Sequence, residues 1–207
     1  MRRLGVDETS FARRHEYVTV VVDAEEGHVA HVADDRSKDS LADFFRLLTQ
    51  AQRDAIEIVA MDMWEPFIRT TQEWAPKARV VFDKFHVAQH LGDAVDKVRR
   101  QEHRELLERG DRTLVGTRYL WLQSTLSEAQ AERFNELRRQ SLKVSRAWRA
   151  KEVGMELWWK RSRAAITADW KAWCRWARRL SLEPVRRVAQ MVATHLTGIV
   201  NAVHSGV

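Results

Sequence analysis

The feature that most constrains the fold is the order of strand-like and helix-like runs in the first 85 residues. Short β-branched and apolar runs predict five strands, over residues 3–9, 16–23, 28–33, 56–61 and 79–82. Helical periodicity over residues 40–50, after a capping Ser37 or Asp39, predicts one helix, and Pro66 suits the first turn of another. This order indicates an α/β fold: a mixed five-stranded sheet with flanking helices.

The second part of the chain has a different character, because strand patterns nearly vanish after residue 86. Apolar residues at helical spacing predict five helices, over residues 87–109, 126–141, 144–163, 166–180 and 184–202. Seven of the nine tryptophans fall in this part, as expected for helices that pack on one another. We therefore predict an α/β region at residues 1–88, followed by an all-α region at residues 89–207.

The charge is divided in the same way. Residues 1–85 carry 12 Lys and Arg against 16 Asp and Glu, whereas residues 86–207 carry 23 against 13. An acidic region suits a cation, and a basic region suits a polyanion such as nucleic acid, although basic residues also occur on ordinary solvated helix faces.

Compartment and membrane attachment are predicted from what the sequence lacks. No apolar run reaches the roughly 18 residues that span a bilayer, and the N-terminus shows no apolar signal segment. The single cysteine, Cys174, excludes an internal disulfide and a Cys-rich zinc site. We expect a cytoplasmic protein with no membrane partner.

Three aspartates end or interrupt short strand-like apolar runs: Asp7, Asp62 and Asp83. Carboxylates on adjacent strands, about 4.8 Å apart, can share divalent cations of the kind used in phosphoryl transfer. In the predicted sheet the first and fourth strands are neighbours, so Asp7 and Asp62 are the candidate metal ligands. The ordinary alternative is that each aspartate caps a turn or the following helix.

His86 lies three residues after Asp83 and is the second feature at this end of the sheet. Its imidazole could orient a carboxylate or reach a phosphate, whereas a single histidine here is more often a packed or capping residue. The remaining ligands of a zinc site are missing from the surrounding sequence.

The helices of the second part carry paired basic residues and tryptophans that could contact DNA phosphates and unpaired bases. The candidate DNA contacts are Arg99, Arg100, Arg138, Arg139, Lys160, Arg161, Arg163 and Trp158. The spacing of Trp170, Trp173 and Trp176 is instead typical of core packing between helices. The adjacent Trp158 and Trp159 cannot both face one core, so one of them is expected to be exposed or to cover a DNA end.

With these motifs in view, the chain resembles bacterial DDE transposases of the ISL3 group. The resemblance covers nearly all 207 residues and rests on Gly5–Phe11, Tyr17–Asp23, Ala60–Trp64, Asp83–Val87 and the closing stretch from Leu182 to Ile199. It implies a ribonuclease H-like catalytic core, whose element order the first 85 residues match, interrupted by a helical insertion. It also implies an enzyme that cuts insertion-sequence ends and joins them to target DNA with Mg²⁺ or Mn²⁺.

By position, Asp7 looks like the first catalytic aspartate of the family and Asp62 like the second. Asp83 with His86 is similar to the Asp-x-x-His signature of many DDE transposases and is expected to support the site. A competing assignment makes Asp83 the second acid. The third acid of the family, a glutamate on a helix after the insertion, has no match before Val207.

The N-terminal zinc-binding and helix-turn-helix regions of the family also have no match in the chain. We therefore expect the fragment to be inactive in strand transfer by itself, and the full-length protein to be able to form a homo-oligomer. Two alternatives stay open: a ribonuclease H-like nuclease, and a non-catalytic basic module that binds nucleic acid.

Overall fold

The computed structural model describes residues 1–10, 17–35, 37–123, 125–159, 162–203 and 205. The chain divides into two compact units. The first, here called the sheet unit, is Met1–His86 together with Thr197–Val207, and the second, the helical unit, is Val87–Leu196. The division of the chain into a core and an insertion at residue 88 stays a prediction. The structure also groups residues 197–207, which include most of the last helix, with the sheet.

The sheet unit contains a five-stranded mixed sheet, which confirms the predicted α/β class at this level. Its strands are β1 (Arg3–Ser10), β2 (Tyr17–Asp23), β3 (His28–Asp34), β4 (Ile58–Met61) and β5 (Arg79–Phe82). Their order across the sheet is β3-β2-β1-β4-β5, with β1, β2 and β3 antiparallel and with β4 parallel to both β1 and β5. The predicted first residue of β2, Glu16, lies outside the described residues.

Ten α-helices are formed by the described residues. They are α1 (Lys38–Leu47), α2 (Gln50–Asp54), α3 (Glu65–Trp74), α4 (Lys84–Glu108), α5 (Arg118–Leu122), α6 (Glu128–Arg139), α7 (Lys143–Glu156), α8 (Arg163–Arg178), α9 (Glu183–Thr194) and α10 (Leu196–Val203). None of the helices described is long and apolar enough to cross a membrane.

Local capping residues explain where α1 and α2 begin. The Ser37 side chain accepts a hydrogen bond from the Ser40 backbone N–H at 3.2 Å, so Ser37 is the cap of α1. The prediction that this helix continues to residue 50 is wrong. Leu48 is extended, and Thr49 forms a second capping box that starts the short helix α2.

The turn between β2 and β3 is held by Asp23. Its Oδ1 accepts hydrogen bonds from the backbone N–H groups of Glu25 at 2.9 Å and Glu26 at 3.4 Å, and Gly27 completes the turn at φ +71°. These hydrogen bonds, the one from Glu25 foremost, hold the pKa of the Asp23 carboxyl below its ordinary value.

Because the folded pKa of Asp23 is depressed, its stabilising contribution is present above the unfolded pKa and is lost as the pH falls through the folded value. We expect Asp23→Asn to lower the urea midpoint at neutral pH, and the difference from wild type to shrink as the pH falls below about 4. Asp34→Asn, which changes an exposed carboxylate at the end of β3, is the control. An unchanged difference at low pH would contradict the role of the ionised carboxylate.

The helix α10 packs on the sheet, which the sequence did not predict. The Asn201 side-chain amide donates a hydrogen bond to the Val80 carbonyl of β5 at 3.1 Å, and Gly198 lies directly against the Phe82 ring. The prediction of a single helix over residues 184–202 is therefore wrong. This stretch forms two helices, α9 and α10, which are separated at His195. The first belongs to the helical unit, and nearly all of the second belongs to the sheet unit.

The core of the helical unit includes a chain of aromatic rings. Trp158, Trp170 and Trp173 are buried and meet edge to face, with centroid distances of 5.9 and 5.4 Å. The Trp173 Nε1–H donates to the Ala150 carbonyl of α7 at 2.9 Å. The core-packing interpretation is thus correct for Trp170 and Trp173, whereas Trp176 is half-buried.

Candidate active site

Asp7 and Asp62 lie near the same end of the parallel pair β1 and β4. Gly5 of β1 is paired with Ala60 of β4, which is the last pair of this ladder. Asp7 lies two residues further along β1, which continues to Ser10, and Asp62 directly follows the end of β4 at Met61. The two residues therefore belong to adjacent strands, which lie about 4.8 Å apart in a sheet.

Asp83 extends this row by one strand. Met61 of β4 is paired with Phe82 of β5, the last pair of this ladder, and Asp62 and Asp83 are the residues that follow it. Asp7 lies within β1, whereas Asp62 and Asp83 directly follow β4 and β5. The three aspartates singled out from the sequence therefore lie on or directly after three adjacent parallel strands, and are here called the aspartate row.

Each member of the aspartate row accepts a hydrogen bond from a nearby backbone N–H at its Oδ1. Asp7 accepts from Glu8 at 2.9 Å, Asp62 from Trp64 at 2.5 Å, and Asp83 from Phe85 at 2.9 Å. The capping alternative is thus realised at Asp62 and Asp83, which precede α3 and α4. At Asp7 and Asp83 this contact uses one of the two carboxylate oxygens.

The metal-binding capacity of the aspartate row follows from its exposure and its donor atoms. Asp7 and Asp83 are exposed and Asp62 is half-buried. Among the described residues, no three side chains of Asp, Glu, His or Cys are grouped closely enough to hold a metal ion. Carboxylates at an open edge fit Mg²⁺, which binds through one or two carboxylates and keeps several waters, better than a cation that needs a full protein cage.

His86 lies in the first turn of α4 and is half-buried. Its ring meets the exposed Phe85 ring edge to face, with a centroid distance of 5.8 Å. No hydrogen bond joins His86 to Asp83 within the described part of the chain. The structure thus brings the histidine to the same end of β5 as the aspartate row without connecting the two side chains.

The predicted DNA contacts divide into exposed and buried residues. Arg100, Arg138, Arg139 and Arg163 are exposed, and Lys160 and Arg161 lie outside the described residues. Arg99 is only 9% exposed, and its guanidinium pairs with Asp96 of the same helix at 2.8 Å. Arg99 therefore faces the interior of the helical unit in this arrangement.

The two adjacent tryptophans take opposite positions, as the sequence requires, but the residue chosen for DNA contact is the buried one. Trp158 is 8% exposed and packs on Trp170, whereas Trp159 is 77% exposed. Both lie in a 3₁₀ turn over Leu157–Trp159, where three residues per turn point successive side chains in different directions. The expectation that one of the two is exposed is thus met by Trp159, and the choice of Trp158 as the DNA contact does not fit its burial.

Comparison with known proteins gives matches along the whole chain. The family described as Transposase, in the ISL3 group of the DDE type, matches residues 4–207. The chain is similar to the transposase for insertion sequence element IS1001 of Bordetella parapertussis, 27% identical over 201 residues, which are 95% of this chain and 50% of that protein.

The chain is also similar to the transposase for insertion sequence element IS1557 of Mycobacterium tuberculosis strain H37Rv. The two are 35% identical over 101 residues, which are 49% of this chain and 23% of that protein. The chain therefore spans about half the length of the first of these relatives, and its match to the second covers about a quarter of that protein.

Proposed function

The chain belongs to the ISL3 family of DDE transposases, and on that premise we propose that it forms the catalytic region of an insertion-sequence transposase. The reaction would be cleavage of the ends of the element and their transfer to target DNA. The observation that carries the proposal is the aspartate row, in which Asp7 lies within β1 and Asp62 and Asp83 directly follow the parallel strands β4 and β5.

We propose that the sheet unit is a ribonuclease H-like core. Its support is the strand order β3-β2-β1-β4-β5, with an antiparallel meander on one side and two parallel strands on the other. The proposed division is a core beginning at residue 1 and a helical insertion that starts near residue 88. Because Thr197–Val207 groups with the sheet, the chain would return from the insertion to the core near residue 197.

Asp7 and Asp62 would hold the divalent cation, Mg²⁺ or Mn²⁺. When bound, such ions activate an attacking water or hydroxyl and stabilise the departing oxygen in phosphoryl transfer. The backbone N–H groups of Glu8 and Trp64 would fix the carboxylates by holding one oxygen of each. Asp83 and His86 would shape the end of the site, and Asp83 stays the alternative to Asp62 as second acid.

The DNA of the element ends and of the target is the proposed partner. Arg100, Arg138, Arg139 and Arg163 are exposed on the helical unit and are the described candidates for phosphate contacts. Lys160 and Arg161 remain candidates from the sequence. Homo-oligomerisation of the full-length protein and a cytoplasmic location also stay predictions.

Metal binding tests this proposal without requiring transposition. We expect Mn²⁺, titrated by electron paramagnetic resonance, to bind the wild-type chain and to bind Asp7→Asn and Asp62→Asn at least about tenfold more weakly. This is a lower bound, because losing even an outer-shell partner costs about 10–100-fold in affinity. A matching loss in Asp83→Asn, with Asp62→Asn unchanged, would assign the second acid to Asp83.

The control for the metal titration is Asp39→Asn, which changes an acid in the first turn of α1. It removes the same charge without touching the aspartate row and should bind Mn²⁺ like the wild type. If Asp7→Asn also binds Mn²⁺ like the wild type, the metal site is refuted. DNA binding that persists without any metal binding would then favour the non-catalytic alternative.

A further inference from the structure

A pocket of about 480 Å³ lies between α7 and the end of α8, within the helical unit. It is lined by Arg146, Arg149 and Val153 on one side and by Trp176 and Leu180 on the other. Its volume falls within the range of about 300–1,000 Å³ that is typical of sites for small ligands. None of the five lining residues belongs to the candidate DNA contacts drawn from the sequence.

Helical spacing explains why these side chains converge. Arg146, Arg149 and Val153 are three and four residues apart, so they share one face of α7. Trp176 lies in the last turn of α8, and Leu180 follows two residues after the end of that helix. The apolar members are half-buried and both arginines are exposed, which gives an apolar floor with two cations at its rim.

The charge at the rim has no neutralising ion pair from the described part of the chain. Within the described residues neither Arg146 nor Arg149 forms an ion pair, whereas Arg99 pairs with Asp96 and Arg187 with Glu183. Like charges three residues apart on a helix destabilise it slightly. Helix stability therefore does not account for the two arginines, and an anion bound between them would offset their repulsion.

The chemistry of the pocket selects a ligand with both an anion and a flat apolar face. Guanidinium groups match phosphate oxygens in bidentate geometry. The Trp176 indole offers a π surface on which any base can stack. A paired base in a duplex hides its faces in the helical stack, so the apolar part of the pocket is suited to an unpaired nucleotide.

We propose that this pocket binds an unpaired nucleotide of a DNA single strand, with the phosphate at Arg146 and Arg149 and the base against Trp176. The choice of DNA as the polymer rests on the proposed transposase function. The site itself is separate from the aspartate row and requires no metal. It gives the helical unit a specific role, holding a strand that has left the duplex.

The test compares a short oligothymidylate with a duplex of the same length, by fluorescence anisotropy with EDTA present. We expect Trp176→Leu to bind the single strand roughly tenfold more weakly, because one base–aromatic stack is lost, and to bind the duplex unchanged. Trp176→Phe keeps an aromatic face and should retain most of the single-strand affinity. Its behaviour separates loss of stacking from a general disturbance of the fold.

The arginines are tested by the salt dependence of the same binding. In the double variant Arg146→Gln/Arg149→Gln, the slope of log K against log salt concentration should become shallower by about 1.4, for two phosphate contacts on a single strand. The matched control is Lys171→Gln/Arg175→Gln, which removes the same charge from another exposed face of α8. The control variant should bind the single strand and the duplex more weakly to the same extent, because only the net charge of the protein has changed.

Three results would overturn the proposal. One is wild-type affinity for the single strand in Trp176→Leu, and another is an arginine double variant that behaves like its control. The third is absence of single-strand binding in the wild type. Because EDTA excludes metal from the assay, such a failure leaves the Mn²⁺ titration and the catalytic proposal untouched. Failure of the Mn²⁺ titration would likewise leave this binding result standing.

Discussion

Replacement of Gly198 by alanine is expected to destabilise the sheet unit by about 2–3 kcal/mol, by overpacking of a filled core. A Cβ at this position would lie 2.4 Å from both Cδ2 and Cε2 of the Phe82 ring. Phe82 is 4% exposed, so the ring has little room to move. Alanine normally favours a helix over glycine by up to about 1 kcal/mol, and the steric cost must exceed that gain.

Urea unfolding followed by circular dichroism measures this effect, and Gly92→Ala in α4 is the matched control. A Cβ at Gly92 meets nothing within 4 Å, so the same substitution there should stabilise the protein slightly. The double variant Gly198→Ala/Phe82→Leu should lose less stability than the sum of the losses in the two single variants, because the smaller leucine side chain leaves room for the added Cβ. Equal effects of alanine at Gly198 and Gly92 would show that α10 does not pack on β5.

This contact also marks the limit of what the sequence predicts about the fold. The start of α1 at Ser37 could be predicted because a capping side chain acts on backbone groups three residues away. The packing of α10 on the sheet could not be predicted from the sequence. The apolar spacing runs on past His195, and what ends α9 there is the packing of the next helix on Phe82 and Val80, more than 100 residues earlier in the chain.

The candidate site shows the same division between local and distant causes. The positions of Asp62 and Asp83 directly after strands could be predicted because each ends a recognisable apolar run, whereas Asp7 lies inside β1. The position of Trp158 could not, because it depends on α7 ending at Glu156 and passing into a 3₁₀ turn. The prediction of Arg99 as a DNA contact did not anticipate its burial, which is possible because Asp96 on the same helix pairs with its guanidinium.

A second polar residue on the buried face of α4, Glu102, supports the helical unit from within. It is 6% exposed, and its two carboxylate oxygens accept hydrogen bonds from the backbone N–H groups of Lys143 at 2.7 Å and Val144 at 2.8 Å. These are the first two residues of α7, whose preceding residue, Leu142, has no capping side chain. Glu102 thus supplies the cap that the local sequence lacks, and its negative charge lies at the positive end of the helix dipole.

Glu102→Ala is expected to lower the free energy of unfolding by about 3 kcal/mol, because it leaves two N–H donors at a buried helix start without an acceptor. Glu102→Gln keeps one acceptor oxygen, so its free energy of unfolding should fall by less. The matched control is Glu105→Ala, which removes an exposed ion pair to the side chain of the same Lys143 and should cost at most about 1 kcal/mol. Urea unfolding gives the energies, and hydrogen exchange at the Val144 amide gives the location.

The two glutamates lie three residues apart on α4 and both reach Lys143, one at its backbone and one at its ammonium group. A stability difference between the alanine variants therefore isolates the effect of capping a buried backbone from that of pairing surface charges. If Glu105→Ala costs as much as Glu102→Ala, or if exchange at Val144 is unchanged in Glu102→Ala, α7 does not depend on this carboxylate. The larger loss at Glu102 is expected because only there does the substitution leave buried polar groups without partners.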